Sequence, residues 1–283
     1  MNERVVVVNA GKMNYDHLLD FSVLSNDVQV YDDSTNAELI ERIQGASVVV
    51  TKELPVGAEL LSQFPDSVKL IVEAGTGYNN IDLDAARAKG ITVCNIPAYS
   101  TERVAHTAIM MLLNFASTMQ QQIGMLARGD RSNFTKHLQV PHTEVNGKTL
   151  GVIGAGHIGM AVVKVAKALD MNILIHTRTP KEDSDGIRYV SLDELLAQSD
   201  YISLHCPLND KTKHLINKDT IAKMKSNAVI INTGRGGLIK ESDLCEALAA
   251  KRIHGAGLDV QEVEPPAEDN PLYTLDNVII TPH

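Results

Sequence analysis

Several stretches of the sequence set glycines where a chain could hold an anion. In Leu150-Gly151-Val152-Ile153-Gly154-Ala155-Gly156-His157-Ile158-Gly159, the glycines at 154, 156 and 159 have the spacing G-x-G-x-x-G. The first permits a tight turn, the second lets backbone approach a pyrophosphate, and the third lets helix and strand pack closely. The N-terminus of the helix that follows offers free N–H groups to the anion. Glycine turns alone are common. Here an apolar run precedes the turn, and Ile158, Val162, Val163, Ala166 and Leu169 recur behind it at helical spacing, so a dinucleotide site is expected. Gly75 and Gly77, in Glu73-Ala74-Gly75-Thr76-Gly77-Tyr78-Asn79-Asn80, could turn backbone N–H groups toward a carboxylate, although an ordinary βα turn would look the same. Arg235 stands among glycines in Thr233-Gly234-Arg235-Gly236-Gly237, at the end of an apolar run.

About 20 residues beyond the glycine turn, a carboxylate would bond the ribose 2′-hydroxyl of NAD. The sequence there is His176-Thr177-Arg178-Thr179-Pro180-Lys181, with no acid. Arg178 could stack on adenine and pair with a 2′-phosphate, with Thr177 adding a hydroxyl, so NADP(H) is expected over NAD(H). A solvated Arg/Lys pair is the competing reading. His205 and Cys206 are adjacent but lack further ligands, so no metal is expected.

The elements that would position these loops are legible as alternating strands and helices. In the first part, strands are expected at Arg4–Asn9, Val28–Tyr31, Ser47–Thr51, Val68–Val72 and Ile91–Asn95. Helical patterns fall at Tyr15–Leu24, at Asn36–Gln44, and between Asp82, a candidate cap, and Gly90, a candidate stop. Ile96-Pro97-Ala98-Tyr99-Ser100 breaks the alternation and sets an expected boundary between domains 1–98 and 99–283. A long helix should follow from Thr101 through Phe115, then a loop-rich arm over Met125–Gly147. Beyond the glycine turn, strands are expected at Met171–His176, Tyr201–Pro207, Ala228–Asn232, Gly255–Val260 and Asn277–Thr281, with Ser242 a candidate cap for a helix through Ala250. Such alternation implies α/β architecture, two doubly wound parallel sheets.

A chain of 283 residues suits two domains, and 44% hydrophobic with 22% charged residues is an ordinary globular composition. A formal charge of −9 argues against nucleic-acid or anionic-membrane partners. No apolar run reaches spanning length, and the N-terminus lacks a signal-peptide pattern. Cys94, Cys206 and Cys245 are few, odd in number and widely spaced, as for free thiols in a reducing, cytoplasmic compartment.

Taken together, these stretches resemble the D-isomer-specific 2-hydroxyacid dehydrogenases over nearly the whole chain. The resemblance rests on Ala74-Gly75-Thr76-Gly77-Tyr78-Asn79-Asn80-Ile81-Asp82, the glycine turn, Leu204-His205-Cys206-Pro207-Leu208, Asn232-Thr233-Gly234-Arg235-Gly236, Leu258-Asp259-Val260 with Glu264-Pro265, and Thr281-Pro282-His283. It implies a flavodoxin-like substrate domain and a Rossmann NAD(P) domain, with Arg235, Glu264 and His283 as the catalytic set. Reducing a 2-oxo acid needs a hydride on carbon and a proton on oxygen. A histidine suits the proton, a carboxylate on its ring would favour imidazolium and fix the tautomer, and an arginine can hold a carboxylate. The resemblance further implies that Gly75, Thr76 and Gly77 grip the substrate in an interdomain cleft. It places His157 and Ile158 at the pyrophosphate and Thr233 and Asp259 on the nicotinamide side; Gly154, Gly156, Gly159, Thr177, Arg178, Thr179, Cys206, Pro207, Gly234, Arg235 and His283 complete the residues expected to bind the cofactor.

Tyr78-Asn79-Asn80 and Pro97-Ala98-Tyr99-Ser100-Thr101 look most like the glyoxylate/hydroxypyruvate reductase branch. The 51–55 loop offers one cation, Lys52, which disfavours a phosphorylated substrate, and Leu54 could face a small apolar or hydroxymethyl group. A small 2-oxo acid is therefore expected. The alternatives are a phosphoglycerate dehydrogenase-like enzyme and a non-catalytic nicotinamide-binding corepressor or redox sensor. The resemblance also implies a homodimer near the 101–118 helix and the 125–147 arm. In the family a further segment follows the position of His283 and packs back on the first domain. Ending at His283, the chain is expected to be weakly active, with the terminal carboxylate beside the imidazole.

Overall fold

The computed structural model describes residues 3–179 and 181–283. Pro180, in the segment read for cofactor choice, lies outside them. The chain divides into two compact units, Met1–Ser100 and Thr101–His283.

In the first unit the β-branched runs form strands, because side chains buried on both faces of a parallel sheet must all be apolar. Strands β1 (Arg4–Val7), β2 (Asp27–Val30), β3 (Val48–Thr51), β4 (Leu70–Glu73) and β5 (Thr92–Asn95) pair in the order β2-β1-β3-β4-β5, all parallel. Val6 and Val8 enter one core with Leu39, Leu61 and Ile71, whereas Val5 and Val7 enter the other with Val50. Helices α1 (Asn36–Arg42), α2 (Ala58–Ser62) and α3 (Leu83–Ala88) link the strands. Thr35 and Glu38 form a capping box on α1. Asp82 caps α3 by accepting from Ala85 N, as its position predicts, and Gly90 follows the helix at φ +68°. The helix expected over residues 15–24 is absent. Its place is taken by turns and a 3-10 helix, Phe21–Leu24, capped by Asp20. Asn14 Oδ1 accepts from Leu19 N, and Tyr15, Leu18 and Val23 stay about 80% exposed, so the apolar spacing there had no face to bury.

The second unit opens with α4 (Thr101–Ser117), α5 (Met119–Ala127) and α6 (Ser132–Thr135), so the segment expected as a loop-rich arm is partly helical. Strands β6 (Thr149–Ile153), β7 (Asn172–His176), β8 (Ile187–Tyr189), β9 (Tyr201–Leu204), β10 (Val229–Asn232), β11 (Gly255–Leu258) and β12 (Val278–Ile280) form one parallel sheet in the order β12-β11-β10-β9-β6-β7-β8. Helices α7 (His157–Ala168), α8 (Leu192–Gln198), α9 (Lys218–Ile221) and α10 (Glu241–Ala249) complete the layers. Strand order reverses direction between β6 and β9, the switch point where open α/β sheets bind ligands. Ser242 does not cap α10; Lys240 occupies the cap position without a side-chain bond.

Candidate active site

In the second unit the C-terminal ends of the strands lie level. Ile153 pairs with both His176 and Leu204, Leu204 with Asn232, Asn232 with Leu258, and Leu258 with Ile280. The loops leaving them therefore form a row. Along it, in sheet order, come residues 281–283, 259–264, 233–237, 205–207, 154–159 and 177–179. Every candidate residue of this unit falls in that row.

The glycine turn has a distinct reason for each glycine. Gly154 has φ +101°, and a Cβ there would lie 2.6 Å from Cys206 N. At Gly159 a Cβ would meet the Gly154 carbonyl oxygen at 2.2 Å. Gly156, the cap residue of α7, has nothing within 4 Å of an added Cβ, so the space above it is open. The α7 N-terminus faces out from this turn with first-turn N–H groups that no preceding carbonyl can satisfy. That open, amide-lined corner fits the pyrophosphate of a dinucleotide. Further along the row, Thr233 Oγ1 is buried without a hydrogen-bond partner among the described residues, as expected of a group that awaits a ligand's amide. Arg178 and Thr179 are exposed, and the Thr177 hydroxyl donates to Thr179 O at 2.7 Å. Burial pushes the Cys206 thiol up to about 11 and holds the His205 imidazole down to about 4. Both are therefore neutral at physiological pH, and Ser203 Oγ sits 2.8 Å from His205 Nε2. Among the described residues no cluster of three or more His, Cys, Asp or Glu could hold a metal.

The three residues expected to do chemistry stand on the loops that leave three adjacent strands, β10, β11 and β12. Asn232, fully buried, bonds Arg235 O through Nδ2 (2.9 Å) and accepts from Gly234 N (3.1 Å), which fixes the loop that carries Arg235. The Arg235 guanidinium rests on Gly234 O at 2.8 Å. Glu264 Oε2 lies 2.7 Å from His283 Nδ1, and Glu264 Oε1 accepts from Gln261 N at 2.9 Å. Asp259 accepts from the Thr281 hydroxyl and donates its N–H to Asn232 O, tying the three loops together. A cavity of about 510 Å³ opens where β6 and β7 begin, lined by Leu113, Ala116, His142, Val145 and Asp170; it holds none of these residues.

In the first unit, Gly75, Thr76 and Gly77 leave the C-terminal end of β4. Thr76 Oγ1 donates to Ile96 O, and Asn95 Nδ2 donates to Thr76 O. Below them lies a polar cluster that sequence reasoning missed. Glu73 is fully buried, accepting from Glu53 N and Asn80 Nδ2, both at 2.9 Å. Burial raises its carboxyl above the ordinary range against those hydrogen bonds. Burial alone would lower Lys52, but bonds to Glu53 and Tyr99 outweigh it and raise it. The single signal for this cluster in the sequence was an acid closing a strand before a glycine. Leu54 is half-buried and packs on the apolar core of the unit.

The fold and this row of loops define a nicotinamide-dinucleotide oxidoreductase. Residues 109–283 match the model of the D-isomer specific 2-hydroxyacid dehydrogenase, NAD binding domain. A hydroxypyruvate reductase of Blautia hydrogenotrophica is 41% identical over 250 residues, 87% of this chain and 77% of that protein. A D-3-phosphoglycerate dehydrogenase of Methanocaldococcus jannaschii is 44% identical over 263 residues, 91% of this chain but 49% of that longer protein. Among solved structures, D-lactate dehydrogenase from Aquifex aeolicus, complexed with NAD and lactic acid, aligns with TM-score 0.88 and 32% identity over 99% of this chain and 88% of that one. The chain belongs to the D-isomer-specific 2-hydroxyacid dehydrogenase family and is an NAD(P)-dependent oxidoreductase acting on CH–OH groups.

Proposed function

We propose that the protein reduces a small 2-oxo acid, hydroxypyruvate, glyoxylate or a short aliphatic analogue, to the D-2-hydroxy acid. The observation that carries this reading is the order of the loops along the second sheet. The Arg178 loop, the glycine turn, Thr233 and the Arg235–Glu264–His283 group follow one another as adenosine, pyrophosphate, nicotinamide and reacting carbonyl would. Residues 1–98 then serve as substrate domain and 99–283 as dinucleotide domain.

Bound nicotinamide cofactor would supply the hydride that the carbonyl carbon receives. The protein must supply the proton and hold the carboxylate. His283 gives its Nε2 proton to the carbonyl oxygen, while Glu264 on Nδ1 orients the ring. Arg235 is permanently charged and holds the substrate carboxylate while polarising the oxo group. On the first unit, the backbone of Gly75, Thr76 and Gly77 is the candidate carboxylate grip, and Leu54 the candidate neighbour of a small apolar or hydroxymethyl group. Gly154, Gly156, His157, Ile158 and Gly159 hold the pyrophosphate; Cys206, Pro207, Gly234 and Asp259 line the nicotinamide end. Thr177, Arg178 and Thr179 receive a 2′-phosphate, which favours NADPH.

Exposed Met110 and Leu113 on α4, Met119, Ile123 and Leu126 on α5, and Phe134 and Leu138 beyond support a homodimer through this face. The three cysteines are free, which supports a reducing, cytoplasmic setting. Among the described residues no helix is long and apolar enough to cross a membrane.

The test is loss of reduced-nicotinamide absorbance with glyoxylate, hydroxypyruvate and 3-phosphohydroxypyruvate, NADPH beside NADH. Turnover of the first two, chiefly with NADPH, is expected. Equal efficiency with NADH would remove the Arg178 assignment. Preference for the phosphorylated acid would favour the phosphoglycerate dehydrogenase reading, which the Methanocaldococcus jannaschii relative keeps in view. Cofactor binding without turnover would favour a sensor.

A further inference from the structure

Glu264 sits on an exposed loop, yet its carboxylate is held at both oxygens. The hold on Oε1 comes from Gln261 N, and Gln261 is itself held: its side-chain Oε1 accepts from Asn270 Nδ2 at 3.1 Å. Asn270 is 8% exposed. Its Nδ2 also donates to Glu241 Oε1 at 2.8 Å, and its Oδ1 accepts from Leu272 N at 2.9 Å, capping the 3-10 helix Pro271–Thr274. Both amide hydrogens of Asn270 are thereby used, one toward the Glu264 loop at Gln261 and one toward Glu241, the first residue of α10. Glu241 in turn accepts from Glu262 N through Oε2 (3.1 Å), and Glu262 Oε2 accepts from Glu241 N (2.9 Å). The Arg235 loop rests on the same backbone: a Cβ at Gly236 would fall 1.8 Å from Gln261 O.

We propose that Asn270 is a positioning residue for the reduction, acting through Gln261 on Glu264 and through Glu241 on the register of the Glu264 loop against α10. The inference rests on the reading of Glu264 and His283 as a working pair. Asn270 touches neither substrate nor cofactor. Its work is to keep Glu264 Oε2 on His283 Nδ1 at a place where the loop's own exposure would let it wander. It was invisible in the sequence because its partners come from Glu241, Gln261 and Leu272, brought together by the fold.

Asn270→Asp is the decisive variant. Asp has nearly the same shape and keeps the cap on Leu272 N, but it has no hydrogen to give to Glu241 or Gln261. It should lower kcat about 10-fold or more, since a small misplacement near the reacting atoms is costly, with the Kd for NADPH unchanged. Asn270→Ala should fall by a similar factor. In a Glu264→Gln background the same Asn270→Asp change should cost less than about twofold, because residues that act through one another are not additive. Amide hydrogen exchange at 261–262 should rise in Asn270→Asp whether or not the enzyme turns over. Wild-type kcat in Asn270→Asp, an equal loss in both backgrounds, or unchanged exchange at 261–262 would overturn the inference. A wild-type chain that binds NADPH and reduces no 2-oxo acid would overturn the underlying reading instead, and the exchange result alone would then decide the role of Asn270.

Discussion

Each unit carries a glycine turn at the C-terminal edge of a parallel sheet, and the two turns are built differently. Around Gly154 and Gly159 an added Cβ would strike backbone, at 2.6 Å and 2.2 Å, and backbone cannot step aside. At Gly75 the nearest atoms are side-chain tips, Glu73 Oε1 at 3.2 Å and Lys52 Nζ at 3.3 Å. The second unit's turn is thus fixed by covalent geometry and packing, and Gly156 alone of its three glycines faces open space. The first unit's turn is shaped by a polar cluster that can adjust. A rigid edge suits a cofactor of constant shape. An adjustable one suits substrates that differ in their side groups.

Substitutions in the two turns should separate the rigid edge from the adjustable one. Gly159→Ala should destabilise the protein most, by about 3 kcal/mol in chemical denaturation without cofactor, the upper range for overpacking; a loss under about 1 kcal/mol would show that the turn can relax. A comparable effect should come from pH. His205 is held down to about 4 from an ordinary 6.5, so the unfolded chain takes up a proton that the folded protein refuses. Stability should be intact above pH 6.5, decline as pH falls, and bottom out near pH 4. The full loss is of the order of 3 kcal/mol. His205→Asn should flatten this part of the profile, and an unchanged slope would point to other groups. In the first unit, Gly75→Ala should cost only about 1 kcal/mol, because its contacts, at 3.2 Å and 3.3 Å, are looser than the backbone clashes at Gly154 and Gly159. Gly156→Ala should change stability by less than about 0.5 kcal/mol, yet weaken NADPH binding about 10-fold or more, since the new methyl fills the pyrophosphate's approach. Loss of stability in Gly156→Ala with affinity retained would reverse the roles given to the glycines.

The features that sequence alone made legible are those a single element must satisfy by itself. Val5–Val7 and Val229–Ile231 are β-branched runs that read as buried strands, and a strand, three spaced glycines and a helical pattern define the turn at 154–159. Residues 15–24 misled because apolar spacing marks a helix only if a face is buried, and there the side chains stand in solvent with His17 at φ +57°. β8 escaped notice because three residues among polar neighbours give no periodicity to read. Arg235, Glu264 and His283 were legible through resemblance to a family, while Glu73 and Asn270 were not. Their meaning lies in partners up to 29 residues distant that only the folded chain assembles.

In the proposed chemistry the second unit's loop row ends in a proton donor, His283, whose removal should spare cofactor binding. Single-turnover reduction of glyoxylate or hydroxypyruvate by His283→Ala, with NADPH affinity measured alongside by fluorescence, tests it most directly. The rate should fall about 10³-fold, within the range for loss of a general acid, while the NADPH Kd stays within about twofold of the unmodified protein, because the pyrophosphate and adenosine loops are untouched. Reduction at the unmodified rate would contradict the account.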